Sequence, residues 1–145
     1  MTCMTFENLP VNIKELPLTD RRLAADVIDL IISGEARADG CLGIMVCDEH
    51  DRGVLPIVLS DVPHDGDIEA VATLFDLVLP LVVERGGSLL VGRGRPRGGV
   101  LNDVDRAWHQ QAIDSCAAHD VPLLGFYLAT RDGVFPLPEP LAAAS

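Results

Sequence analysis

Three arginines lie in a glycine-rich stretch, GRGRPRGG at residues 92–99, and are the strongest candidates for chemistry in this sequence. Guanidinium groups bind phosphates and carboxylates, and glycines let backbone N–H groups approach an anion closely. The stretch contains no lysine, so it is not a G-x-x-x-x-G-K-[ST] phosphate loop, and Arg97 stands where G-x-G-x-x-G requires its third glycine. A nucleotide site is therefore poorly supported, and a structural loop with solvated arginines is the favoured alternative.

Part of this stretch, RGRP at residues 93–96, resembles the core of the AT-hook. In AT-hooks the arginines enter the narrow minor groove of A·T-rich DNA. The chain carries 22 acidic and 11 basic residues, which gives a formal net charge of −11. A field of that sign repels nucleic acid at long range. DNA binding is therefore an alternative that the composition disfavours.

The residues around the arginines predict a strand, a loop and a helix. SLLVG at 88–92 is short, apolar and bounded by glycines, which is typical of a buried strand. Asn102 or Asp103 can cap a helix that reaches about residue 119, with acidic residues in its first turn. The loop between this strand and this helix would carry the arginines.

Hydrophobic periodicity and turn residues predict the remaining elements. Pro56 favours an edge position or a bulge for the strand that contains it. The resulting order favours a mixed sheet of about five strands flanked by three helices. The predicted elements are a helix that begins after Thr19 and ends at Gly34, strands at 41–47 and 54–60, a long helix that ends at Gly86 and Gly87, and strands at 121–130 and 134–137.

Length and composition fit one folded domain. The chain has 145 residues, of which 48% are hydrophobic, enough to bury a core without covalent staples. We predict an N-terminal arm at 1–17, a single α/β domain at 18–138 and a C-terminal tail at 139–145. No apolar run reaches the roughly 20 residues that span a bilayer, and the first residues lack the layout of a signal peptide. These features predict a cytoplasmic protein without a membrane partner.

The four cysteines show neither a C-x-x-C pair nor the Cys/His spacing of a metal site. They are predicted to be reduced thiols that fill small spaces in the core. They are Cys3, Cys41, Cys47 and Cys116.

From residue 40 to residue 137 the layout resembles the JAB/MPN metallopeptidase fold, in its bacterial RadC-like branch. The residues that carry the likeness are SLLVGRGRPRGG and the segment LNDVDRAWHQQAIDSCAAHDVPLLGFYLATRDGVFPL. That family places a His-x-His-Pro-Ser-Gly loop after a buried strand and an aspartate at the start of the next helix. The resemblance implies a layered, cytidine-deaminase-like sandwich and a zinc peptidase site.

The departures from the family motif bear on function. Arg93 and Arg95 occupy the two histidine positions and Arg97 replaces the serine, whereas the proline and the following glycine match. Asp105 is the candidate for the metal aspartate, although the family position falls one residue later, at Arg106. Guanidinium has no lone pair to offer zinc, and a catalytic zinc needs about three protein ligands. The resemblance therefore implies a pseudoenzyme without a metal or other cofactor, whose loop is a scaffold in which Asp103 or Asp105 holds the arginines.

We predict that the chain is a non-catalytic binding or assembly module. Its partner would be another protein or a second copy of the chain, and an edge strand together with the N-terminal arm is compatible with a homodimer. An alternative is a hydrolase with a relocated metal or anion site around Arg93, Asp105 and His109. We expect Trp108 to be core. The predicted interaction surface is formed by Arg93, Arg95, Arg97, Asp105, Trp108 and His109.

Overall fold

A five-stranded mixed sheet organises the chain in a computed structural model, which describes residues 16–60 and 68–138. The strand order is β2-β1-β3-β4-β5, with β3 and β4 parallel and every other neighbouring pair antiparallel. In chain order the elements are α1 (Arg21–Ile31), α2 (Gly34–Asp39), β1 (Cys41–Cys47), β2 (Gly53–Ser60), α3 (Ile68–Glu84), β3 (Ser88–Gly94), α4 (Asp103–Ala118), β4 (Leu123–Thr130) and β5 (Gly133–Pro136).

Helices cover both faces of the sheet, so the core has two halves. Side chains from α3 and α4 pack on one face, where Phe75 and Trp108 are the largest buried members. Side chains from α1 and α2 pack on the other face, around Ile28 and Ile32. The three central strands are therefore largely enclosed, and β1 and β3 are buried along their whole length. This arrangement is a three-layer α/β/α sandwich.

The predicted α/β class and five-stranded mixed sheet are confirmed, but the number of helices was wrong. The described residues form four, because a further short helix, α2, follows α1 after two residues. Gly34 does not end the first helix: Ser33 caps α2, accepting a hydrogen bond from the Ala36 N–H, and Gly34 is the first residue of that helix. The N-cap of α1 is Asp20 rather than Thr19, since its carboxylate accepts from the N–H groups at 22 and 23.

The strand–loop–helix unit at the carboxyl end of β3 follows the prediction closely. Asn102 caps α4 and forms a reciprocal capping box with Asp105. The strand itself is longer than predicted, because β3 continues to Gly94 and so includes Arg93. Downstream, β4 and β5 form the predicted hairpin, and β2 with Pro56 is an edge strand among the described residues.

Within residues 16–60 and 68–138, no helix has both the length and the apolar character needed to cross a membrane.

Candidate functional site

Arg93 is the second-to-last residue of β3, the strand that lies between β1 and β4. It is opposite Leu42 of β1 and Leu128 of β4, and both of these side chains belong to the core half covered by α3 and α4. Because paired residues in a sheet share a face, the Arg93 side chain points beneath α4 and is only 1% exposed. A permanent cation in this position requires a compensating charge.

Asp105, at the third position of α4, supplies that charge to two arginines at once. Its Oδ1 lies 2.8 Å from Arg93 Nη1, and its Oδ2 lies 3.0 Å from Arg95 Nη2. Arg95 Nε also donates to Oδ1 at 3.2 Å. The Asp105 side chain is fully buried, and those of Arg93 and Arg95 are 2% and 13% exposed. We call Arg93, Arg95 and Asp105 the ion cluster.

The same carboxylate completes the start of α4. Oδ2 of Asp105 accepts the Asn102 N–H at 3.0 Å, and the Asn102 side chain accepts the Asp105 N–H at 2.8 Å. Three hydrogen bonds and the ion pair with Arg93 therefore converge on the two oxygens of Asp105, as the acceptor capacity of an ionised carboxylate allows. The ion cluster thus fastens the end of β3 to the first turn of α4.

The Trp108 ring packs against the guanidinium group of Arg93. The Arg93 Cζ lies 4.4 Å from the centroid of the Trp108 ring, a cation–π contact in a desolvated site. Burial lowers the pKa of the Arg93 guanidinium below its ordinary value; Asp105 opposes this shift and Arg95 adds to it. Trp108 is 1% exposed, so its predicted place in the core is confirmed.

Arg95 also fixes the shape of the loop that follows β3. Its Nη1 donates to the Arg97 carbonyl at 2.6 Å, and its Nη2 donates to the Val100 carbonyl at 2.8 Å. The β4–β5 turn holds the loop from the other side, because Asp132 accepts the Gly98 N–H at 2.7 Å and Thr130 Oγ1 donates to the Gly98 carbonyl at 2.8 Å. The middle of the loop is therefore held from two sides, by Arg95 and by the β4–β5 turn.

Two glycines of the GRGRPRGG stretch have a packing role rather than an anion-binding one. A Cβ on Gly92 would lie 2.9 Å from side-chain atoms of Ile28 and Ile32. A Cβ on Gly94 would collide with Cys41 Sγ and approach Ile32. These two positions face the core half opposite to Arg93, and their missing side chains let α1 and α2 lie close to β3.

The structure brings four of the six predicted site residues together and places most of them inside the fold. Arg93, Arg95, Asp105 and Trp108 form one contact network, whereas the His109 ring packs on Phe126 with 5.1 Å between ring centroids. The expectation of solvated arginines is wrong for Arg93 and Arg95, since a buried carboxylate binds both. The predicted interaction surface is correspondingly smaller: Arg97 is the exposed member of the six.

This geometry also bears on the two alternatives from the sequence. An AT-hook needs free arginines, and here Arg93 is enclosed while Arg95 is held by four hydrogen bonds. A relocated metal site would need acceptors that Asp105 has already committed. Among the residues that the structure describes, no three His, Cys, Asp or Glu side chains are grouped to hold a metal ion.

The described cysteines are buried, and burial disfavours the thiolate form that would react. Burial raises the pKa of Cys41 to about 11 and that of Cys116 to about 12. Burial likewise raises the pKa of Cys47 to about 12. Thiolate is the nucleophile, so these side chains act as core fillers, as the sequence predicted. Cys3 lies outside the described residues.

A second buried arginine, Arg37 on α2, was not predicted from the sequence. Its guanidinium donates to the carbonyls of Ile32 and Thr130 at 3.0 Å and 2.9 Å, and to the carboxylate of Asp29 at 2.7 Å. These bonds fasten α2 to α1 and to the end of β4. No spacing rule marks Arg37 in the sequence, because one of its partners, Thr130, is 93 residues away on β4.

Comparison with known proteins gives no relative: no family model, no curated protein and no solved structure matches the chain. Its kinship with the JAB/MPN fold therefore stays a proposal.

Proposed function

We propose that this chain is a non-catalytic, RadC-like JAB domain that acts as a binding or assembly module. One observation carries the proposal: Arg93 and Arg95, at the positions of the family's two metal histidines, both bind the carboxylate of Asp105. The two guanidinium groups neutralise an aspartate that would otherwise face a metal. The ion cluster then connects β3 to α4 inside the fold.

The residues of the ion cluster do not fit a zinc ion. Zinc takes thiolate, imidazole or carboxylate ligands, and only Asp105 belongs to these classes. Both of its oxygens accept hydrogen bonds from cationic groups within 3.2 Å. Two fixed positive charges at this distance also repel a divalent cation. We therefore derive no hydrolytic step for this site.

The loop beyond the ion cluster is suited to binding a partner. It is held in one shape by Arg95 on one side and by the β4–β5 turn on the other. On this fixed backbone Val100 is 85% exposed, and Arg97, three residues before it, is exposed as well. A preorganised loop loses little entropy on binding, and an exposed apolar side chain beside an arginine resembles the composition of interface centres.

Zinc analysis of the purified protein tests the non-catalytic part of the proposal. After incubation with zinc and dialysis, we expect less than about 0.1 equivalent of bound metal, because no open three-ligand site is available. The measurement is elemental analysis against protein concentration. Retention of about one equivalent, lost again in Asp105→Ala or His109→Ala, would support the relocated hydrolase instead.

Charge reversal on the loop tests the binding part. We expect a stoichiometric partner captured from cells to be retained by the wild-type chain and lost, by at least about tenfold, in Arg97→Glu and in Val100→Asp. Arg85→Glu is the matched control, since Arg85 is also an exposed arginine but follows the end of α3. Equal recovery of the partner by all four proteins would contradict a role for the loop.

A further inference from the structure

The two edges of the sheet are protected very differently. At one edge β5 has four residues and lies beside α1. At the other edge β2 has eight residues, none of them charged, and within the described ranges it pairs only with β1. Natural proteins shield edge strands with charges, short length or a covering element. Within the described residues β2 has none of these three, and its protection consists of Pro56 and an irregular register between Gly53 and Leu55.

The surface along β2 is apolar on both faces of the strand. Four of its side chains are exposed by 37% to 41%, and they alternate between the two faces of the sheet. The following helix α3 adds three more exposed apolar side chains. Seven of the nine exposed large hydrophobic residues in the described parts of the chain are therefore Val54, Leu55, Val58, Leu59, Leu77, Leu81 and Val83.

The strand and the helix border the same half of the core. Ile57 of β2 packs against the same core cluster as the buried side of α3. On α3, Leu74, Leu77 and Leu81 follow one another at i, i+3 and i+7, so they share one flank of the helix. We call the exposed side chains of β2 together with this flank of α3 the apolar edge.

We propose that the apolar edge is the interface of a homodimer, with a second copy of this chain as its occupant. The first argument is charge. Two chains that each carry −11 repel one another, so they can associate only where acidic groups are absent. β2 carries no charged residue. On α3, Glu69 and Asp76 lie on other sides of the helix than the leucine flank, and Glu84 borders that flank at the last residue of the helix.

The second argument is symmetry. A two-fold axis at the edge of a sheet places a strand antiparallel to its own copy, so that the same patch meets itself. An apolar strand without charged residues is complementary to itself in this arrangement. Pro56 has no N–H to donate, so we assign the contact to packing of apolar side chains rather than to a complete backbone ladder.

The third argument is size. A stable interface buries about 800 Å² on each partner, close to a tenth of the 7982 Å² that this chain exposes. An eight-residue strand is about 27 Å long, and a 17-residue helix is about 25 Å long. A strand and a helix of matched length together provide a contact of this order. The inference is independent of the proposed function, because it uses a different face of the molecule.

Sedimentation equilibrium of the full chain tests the proposal. Between about 1 and about 100 µM, we expect the mass to rise from 15.5 kDa toward twice that value. The dimer should tighten in about 0.5 M salt, because screening weakens the repulsion between two acidic chains. Leu55→Asp combined with Leu59→Asp should raise the dissociation constant at least about tenfold, as should Leu77→Asp.

Ala107→Asp is the matched control, since it places the same charge at an exposed apolar residue of α4, outside the apolar edge, and should leave the dimer intact. Leu77 is 68% exposed, so Leu77→Asp decides the question if the double variant fails to fold. A wild-type chain that stays monomeric at every concentration and salt would overturn the proposal. Protection of β2 amides from hydrogen exchange in such a monomer would assign the edge to another segment of the same chain.

Discussion

Asp105→Ala is expected to lower the free energy of unfolding by about 3–5 kcal/mol, because it leaves two guanidinium groups without their shared carboxylate. Arg93 cannot reach water without breaking the core, since its side chain is 2% exposed and stacked on Trp108. The substitution also removes one half of the capping box of α4. Urea denaturation followed by far-UV circular dichroism measures the loss.

Asp103→Ala is the matched control for this prediction. Asp103 lies in the same first turn, but it is fully exposed and its ion pair with Arg106 is 3.7 Å long. Surface pairs and helix-dipole contacts of this kind contribute at most about 1 kcal/mol. If Asp105→Ala cost no more than Asp103→Ala, the ion cluster would not be what ties β3 to α4.

A second substitution separates the loss of an interaction from the cost of an unpaired charge. Arg93→Met in the Asp105→Ala background removes the most deeply buried cation and keeps an unbranched side chain against Trp108. Replacement of a whole buried ion pair by apolar groups is often close to neutral. We therefore expect the double variant to be more stable than Asp105→Ala alone, with a coupling of about 1–3 kcal/mol.

The sequence predicts the parts of this site that depend on local rules. Asn102 and Asp105 have the spacing of a capping box, and SLLVG has the composition of a buried strand, so the strand, the loop and the helix are all recoverable. The burial of Arg93 is different, because it depends on where β3 ends. Leu89, Val91 and Arg93 lie on one face of β3. A predicted strand that ends at Gly92 leaves Arg93 out of this series.

The missed helix α2 has another physical cause. Six residues are too few for a helix to be stable by itself, and Gly34 has the character of a helix stop. What holds α2 in place is Arg37, through carbonyl and carboxylate groups of Ile32, Thr130 and Asp29. Thr130 becomes a neighbour of Arg37 only after the sheet has formed, so no local pattern predicts that bond.

The glycines of GRGRPRGG show how one motif can serve two faces of a strand. Arg93 points toward α4 and the ion cluster, while Gly92 and Gly94 face α1 and α2. A glycine-rich stretch after a strand suggests a phosphate cradle when it is considered alone. Here the glycines make room for helix side chains, and the arginines neutralise an internal carboxylate.

Gly92→Val is expected to destabilise the protein by about 3 kcal/mol or more, because α1 leaves no space for a branched side chain on β3. The first carbon alone would lie 2.9 Å from Ile28 Cγ2 and 2.9 Å from Ile32 Cδ1. Both isoleucines are fully buried, so neither can swing into solvent. The intrinsic preference of valine for strands, at most about 1 kcal/mol, does not offset this overlap.

Two comparisons establish that space, rather than loss of glycine flexibility, is the cause. Gly34→Ala adds a Cβ that meets nothing within 4 Å and should change stability by less than about 1 kcal/mol, in the stabilising direction. Ile32→Ala combined with Gly92→Val should cost at least about 1 kcal/mol less than the sum of the two single changes, because the truncated isoleucine vacates the space that valine needs. Additive costs would mean that Gly92 is required for a reason other than the close approach of α1 to β3.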